Sequence, residues 1–184
     1  MINHQTPNGA TTFGYLSSVE SAEHGFFGGY LLVSSVGRPL EFHCTAPIRP
    51  SRAQQILYGP TLQPYLLGEQ IAGTLLAKAQ LRPQVILTDQ SCVLCQRNRA
   101  GIPLAYLVPG ASEDSIAGEL QFLVSGQVCE LPVGFDSDRQ TVAALLTTLA
   151  QHVDLAEPFG RIHEAIREAQ RIDVRGSESH GHAA

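Results

Sequence analysis

The chain has 184 residues, enough for one domain with one core, and its 43% hydrophobic share places it among globular rather than disordered sequences. Its formal charge of −5 comes from 12 basic and 17 acidic side chains, with Lys78 the single lysine, whereas a sequence-independent grip on phosphates needs clustered Lys and Arg; this excludes nucleic acid as a partner. No apolar run is long enough to cross a bilayer, and the start MINHQTPNGATT lacks the basic and apolar regions of a signal peptide, so no membrane partner and a cytoplasmic location are expected.

Residues 1–11 read as a flexible leader, 12–174 as a single mixed α/β domain and 175–184 (RGSESHGHAA) as a disordered tail. Thr12–Val19 has the composition of a strand. Gly25, Gly28 and Gly29 then precede a second strand, Tyr30–Val36. Because they precede a strand and not a helix, they are expected as turn or bulge glycines rather than a phosphate loop. Val36-Gly37-Arg38-Pro39 turns the chain into Leu40–Ala46, where alternation predicts Leu40, Phe42 and Cys44 facing inward and Glu41, His43 and Thr45 outward.

Ser51 is an N-cap for a helix over Arg52–Tyr58, which Gly59-Pro60 ends. A longer helix follows over about 62–80 and is apolar nearly all round, so it is expected to be covered on more than one side. Gly68 and Gly73 weaken it by about 1 kcal/mol each relative to Ala, which predicts close approach by a neighbour. Val85–Thr88 and Ile102–Val108 are short apolar runs suited to parallel, buried strands. Glu119–Val124 and Gln127–Val133 form a second hairpin across Ser125-Gly126. Two amphipathic helices close the domain, one starting at Asp136-Ser137 and running to Gln151, the other starting at Glu157-Pro158. The fold class is therefore mixed α/β, with a sheet that is antiparallel at the two hairpins and parallel near Val85–Leu87 and Leu104–Val108.

Candidate chemistry is sparse. Cys92-x-x-Cys95 has no second ligand pair at metal-binding spacing, so no metal and no cofactor are expected; a thiol redox switch is one reading of it, and a pair of semi-buried small hydrophobes another. Glu69 falls on an apolar helical face by 100° spacing, so it should be paired, protonated or at a cleft. Asp89 closes the apolar strand Val85–Thr88, where it could cap the next turn or stand in the ligand crevice of an α/β sheet. His43 lies on the outward strand face. No nucleophile elbow or metalloprotease motif is present. The sequence thus argues for a non-enzymatic protein-interaction module, an adaptor or accessory subunit with a protein partner or a second copy of itself. The alternatives are a ligand-binding domain or enzyme with a pocket near Glu69, Asp89 and His43, and the Cys92/Cys95 switch.

Overall fold

The computed structural model describes residues 11–178, with side chains through residue 170. Seven strands form one mixed sheet in the order β3-β2-β1-β4-β5-β7-β6. β1 (Thr12–Ser21) lies near its middle, antiparallel to β2 (Gly25–Ser34) and parallel to β4 (Val85–Thr88). β4 is in turn parallel to β5 (Leu104–Leu107), and β3 (Pro39–Cys44) adds antiparallel to β2. The hairpin of β6 (Gln121–Val124) and β7 (Gln127–Glu130) completes the sheet, with β7 antiparallel to β5. The expected division into antiparallel hairpins and a parallel centre holds. All four residues of β4 are buried, as a strand covered on both faces requires.

Helices cover both faces. One core joins Phe13, Tyr15, Leu31 and Leu87 to α5 (Arg139–Leu149) and α6 (Glu157–Glu178) through Val142, Leu146, Phe159, Ile162 and Ile166. The other joins Leu16, Tyr30, Leu32, Ile86 and Leu104 to Leu67, Ile71 and Leu75 of the long central helix. Gly28 and Gly29 are not turn glycines. They sit inside β2 on opposite faces, where an added Cβ would fall 2.1 Å from Ile71 Cγ2 and 2.4 Å from Ile162 Cγ2 respectively. Each lets a helix approach its own side of the sheet.

The central helix spans residues 62–78 in three parts: α2 (Leu62–Pro64), a π-helical segment Tyr65–Ile71 and α3 (Ala72–Lys78). The Ala72 N–H reaches back to the Leu67 carbonyl, five residues earlier. The helix is covered on a second side by the 3₁₀ segment Ser91–Gln96 and α4 (Arg97–Ala100). A Cβ at Gly68 would lie 2.5 Å from the Cys92 carbonyl oxygen, and one at Gly73 would lie 2.6 Å from an Arg99 guanidinium nitrogen. These are the close approaches expected of the two glycines. The Arg97 guanidinium holds both carboxylate oxygens of Asp138, at 2.7 and 3.2 Å, tying this segment to the start of α5.

Alternation misplaces β3. Leu40 and Phe42 are exposed, as is Cys44, while Glu41 and His43 turn inward. β3 is an edge strand, and the Glu41 carboxylate accepts the backbone N–H groups of Gln80 and Leu81 at 2.7 and 2.9 Å. Those amides, in the connection just past the central helix, fix the orientation that hydrophobicity alone would reverse. Of the second hairpin, Phe122, Val124, Cys129 and Leu131 are buried, whereas Val133 lies beyond β7 and is 85% exposed. The expected leader, residue 11 apart, lies outside the described residues; Arg175–Glu178 of the expected tail belong to α6 and 179–184 lie outside. Among the described residues no helix is long and apolar enough to cross a membrane.

Candidate functional site

The register of β1 on β4 is a constant offset of 72 residues, from Phe13↔Val85 to Leu16↔Thr88. Side chains carry it one step further at the carboxyl ends of both strands. Ser17 Oγ donates to Asp89 Oδ2 at 2.8 Å, and Ser18 Oγ donates to Gln90 Oε1 at 2.9 Å. The Gln90 amide returns a bond to the Ser18 carbonyl at 3.0 Å. α6 crosses this end and adds His163, whose Nε2 lies 2.7 Å from Ser17 Oγ and 3.6 Å from Asp89 Oδ2. Ser17 is fully buried because it stands inside an apolar strand, and Phe159, Ile162 and Ile166 anchor the helix that brings His163 to it.

The polarity of this cluster limits its chemistry. A hydroxyl has one proton, and Ser17 gives it to Asp89, so His163 meets Ser17 as a donor. A nucleophilic serine requires the reverse, with histidine accepting from the hydroxyl. Ser17 is therefore a bridge between an acid and a base. Burial pushes the Asp89 carboxyl above its ordinary range, and the Ser17 hydrogen bond and the His163 charge pull it back only partway. Its second oxygen, Oδ1, is buried and has no partner among the described residues. Buried acceptors are nearly always paired, so Oδ1 is an exception that a water or a ligand donor would satisfy. Asp89 also lines a cavity of about 290 Å³ with Leu107, Gly110, Gln127 and Phe159, which opens beyond the strand ends.

The same end of the sheet carries an unusual surface. Ile48 bridges Phe26, which pairs with Glu20 near the end of β1, and α1 (Arg52–Tyr58) begins three residues after Arg49. α1 has a full Ser51–Gln54 capping box but no buried residue. Ile56 is 67% and Leu57 82% exposed, and Tyr58 stacks on Tyr65 with ring centroids 4.5 Å apart.

Of the residues singled out in the sequence, Asp89 alone belongs to this cluster, where it accepts the Ser17 hydroxyl. Glu69 is exposed rather than on an apolar face. A wheel drawn at 100° per residue loses its phase through the π-helical segment, and Glu69 lies inside that segment. His43 is on edge strand β3, separated from β4 by β2 and β1, with Nε2 2.5 Å from Glu41 Oε1. The pocket expected from Glu69, Asp89 and His43 is therefore not assembled. Cys92 and Cys95 are free thiols on the 3₁₀ segment, with no α-helix N-terminus at Cys92 to lower a pKa. Burial pushes both upward, and Cys95 for Cys92 and Glu69 for Cys95 add to it, which is the opposite of an activated thiolate. Ser17 and His163 went unnoticed in the sequence. The signals were a hydroxyl within an apolar strand and a histidine beside the stripe of the last helix.

Among the described residues no group of three or more His, Cys, Asp or Glu is placed to hold a metal ion. Asp89 is the one carboxylate in the cluster, and the hydroxyl facing it is neutral and already spends its proton there. This donor set does not fit a two-ion metal site.

No protein-family model and no curated protein matches the chain. Among solved structures it is similar to human ENDOV, with a TM-score of 0.51 at 13% identity, covering 93% of this chain and 90% of that one. Two structures of Ciona intestinalis Endonuclease V in complex with inosine-containing DNA match at TM-scores of 0.38 and 0.36 and 13% and 14% identity. They cover 58% and 55% of this chain, which spans about half the length of the Ciona chains, 48% and 47%. At such identity the human match establishes a shared fold. It overturns two expectations from the sequence, the non-enzymatic adaptor and the exclusion of a nucleic-acid partner.

Proposed function

We propose that this chain acts on nucleic acid, binding a strand across the carboxyl ends of β1, β4 and β5 with Asp89 and His163 as its acid–base pair. The observation that carries the reading is the Ser17–Asp89–His163 cluster beside an open cavity, in a fold shared with human ENDOV over 93% of the chain. Ligands of open α/β sheets enter beyond the carboxyl ends of the strands. In this reading the Asp89 carboxylate takes a proton from a water whose oxygen bonds to phosphorus; the bond from phosphorus to the leaving oxygen breaks, and that oxygen takes its proton from His163, which the Ser17 hydroxyl couples to the carboxylate. Proton transfer of this kind contributes about 10²–10⁴-fold. The chemistry is hydrolysis of a phosphodiester, with no step assigned to a metal because the donor set does not fit one.

Affinity comes from apolar and aromatic contact more than from charge. Ile56 and Leu57 stand where a wedge can enter between bases, and the Tyr58–Tyr65 stack offers a ring face to one. A reducing, cytoplasmic setting suits the four free cysteines.

The test is a binding and cleavage assay with labelled single- and double-stranded DNA and RNA, with and without inosine, in low salt. Binding with cleavage that Asp89→Asn and His163→Ala abolish supports the proposal. Binding that leaves every strand intact would keep the interface and remove the catalytic role of Asp89. A folded protein that retains none of these oligonucleotides sinks the reading altogether.

A further inference from the structure

A second cavity, of about 300 Å³, lies at the opposite end of the parallel strands, where the central helix ends and β4 begins. Its apolar side is made by Leu76 and Ala79 from the helix end, Leu81 and Pro83 from the connection, and Ile102 ahead of β5, and its polar side by Gln80, Arg82 and Arg99. Buried Tyr30 and Ile86 line its inner end. Tyr30 is 0% exposed, yet its hydroxyl has no hydrogen-bond partner among the described residues. The phenol reaches this position because β1 has glycine beneath it; a Cβ at Gly14 would lie 3.0 Å from the Tyr30 oxygen. A buried tyrosine normally finds a partner, so the open hydroxyl calls for one.

The charge of the cavity is one-sided. Arg82 and Arg99 line it and no Asp or Glu does. Arg82 donates to the Gly101 carbonyl at 3.0 Å and retains further N–H groups. Arg99 has no ion pair among the described residues. The one acid that acts on Tyr30 from nearby is Glu41, which is engaged by the Gln80 and Leu81 amides and by His43. Two guanidinium groups at the rim, an apolar side and an unpartnered hydroxyl at the inner end describe one kind of occupant.

We propose that this cavity binds a small organic anion, with its carboxylate or phosphate on Arg82 and Arg99, its apolar body against Leu76, Pro83 and Ile102, and a polar atom on the Tyr30 hydroxyl. The size is that of the smallest ligand pockets, about 300 Å³. The site is separate from the Asp89 cluster and does not depend on what that cluster does.

Calorimetric titration of the full chain with phenyl phosphate and with benzoate tests this, with inorganic phosphate and phenol as the head group and body alone. Saturable binding of at least one of the two anions is expected, with the fragments about tenfold weaker or more, as befits two contacts of roughly 1.4 kcal/mol each. Arg99→Ala and Arg82→Ala, both on exposed residues, should each weaken it about tenfold. Tyr30→Phe should weaken binding while raising the melting temperature of the ligand-free protein, because it removes an unpaired buried hydroxyl. Asp89→Asn should leave the affinity unchanged. The proposal is overturned if neither anion gives saturable heat, if inorganic phosphate binds as well as phenyl phosphate, or if binding survives both arginine substitutions.

Discussion

Replacing Asp89 with Asn should make the protein more stable while removing the proposed activity on nucleic acid. The Asp89 carboxyl group holds one oxygen, Oδ1, in a buried position without a partner among the described residues. An unsatisfied buried group of this kind costs about 1–3 kcal/mol, and more when charged. Asparagine keeps an oxygen for the Ser17 hydroxyl and sets a neutral amide group where the charged Oδ1 stood, so the cost of that unpaired position falls with the loss of charge but does not vanish; the Ser17 bond weakens by about 1 kcal/mol when the acceptor is neutral. The attraction to His163 at 3.6 Å is lost too, worth roughly 0–1 kcal/mol for a pair not fully buried. The balance is a gain of about 0.5–1 kcal/mol, or roughly 1–4 °C in melting temperature for a chain of this size.

The pH dependence gives the sharper check. The Asp89 pKa is raised on folding, so its favourable contribution is present below the ordinary carboxyl value of 3.8 and is lost as pH rises through the folded value. The difference between variant and parent should therefore be small or reversed in acid and grow toward neutral pH. Urea titrations of both proteins, at about pH 3.5 and about pH 7, measure it directly. A variant less stable than the parent at neutral pH, or a difference independent of pH, refutes the assignment of Asp89 as a strained, open acceptor.

Four further outcomes follow from other parts of the structure. Glu41→Gln should lower stability by about 2–3 kcal/mol, since a single carboxylate receives two backbone donors and His43. Burial works to raise Glu41, but those donors outweigh it and hold the carboxyl below its ordinary value of 4.5. Its contribution is thus present above that value and fades as pH falls below it, so the gap in urea midpoint between the two proteins should narrow in acid; a constant gap would contradict the clip. Gly68→Ala gains about 1 kcal/mol of helix propensity but places its Cβ 2.5 Å from the Cys92 carbonyl oxygen, and overpacking of about 1–3 kcal/mol should win, seen as a lower melting temperature. Ile56→Ser with Leu57→Ser should leave stability within about 0.5 kcal/mol per site, because neither side chain is buried, while weakening oligonucleotide binding measured by fluorescence anisotropy. In the same assay the parent's log–log salt slope should be shallower than about −2, reflecting contact with few phosphates.

Strand and helix identities were legible wherever a local pattern had one physical solution. The apolar run Val85–Thr88 could only be a strand buried on both faces, and Gly37, at φ +73°, supplies the turn that joins β2 to β3. Gly68 and Gly73 signalled close packing because a helix keeps such residues only where a neighbour needs the space. Patterns failed where a distant partner outweighed them. In β3 the amides of Gln80 and Leu81 pull Glu41 inward against its hydrophobic alternation. For Glu69, a π-helical segment shifts the phase on which the helical wheel depends.

Taken alone, then, the sequence determined the fold class, the parallel centre with its antiparallel hairpins, and one member of the candidate site, Asp89 at the end of β4. Only the tertiary structure decided that Ser17 and His163, 146 positions apart, meet on one hydroxyl, and that Asp89 faces them both. The reason is physical. Periodicity reports which face of an element is buried, whereas a reactive centre depends on which strand ends lie side by side and which helix crosses them. Here a register offset of 72 residues and the packing of α6 across β1 set that arrangement, and neither leaves a local trace in the chain.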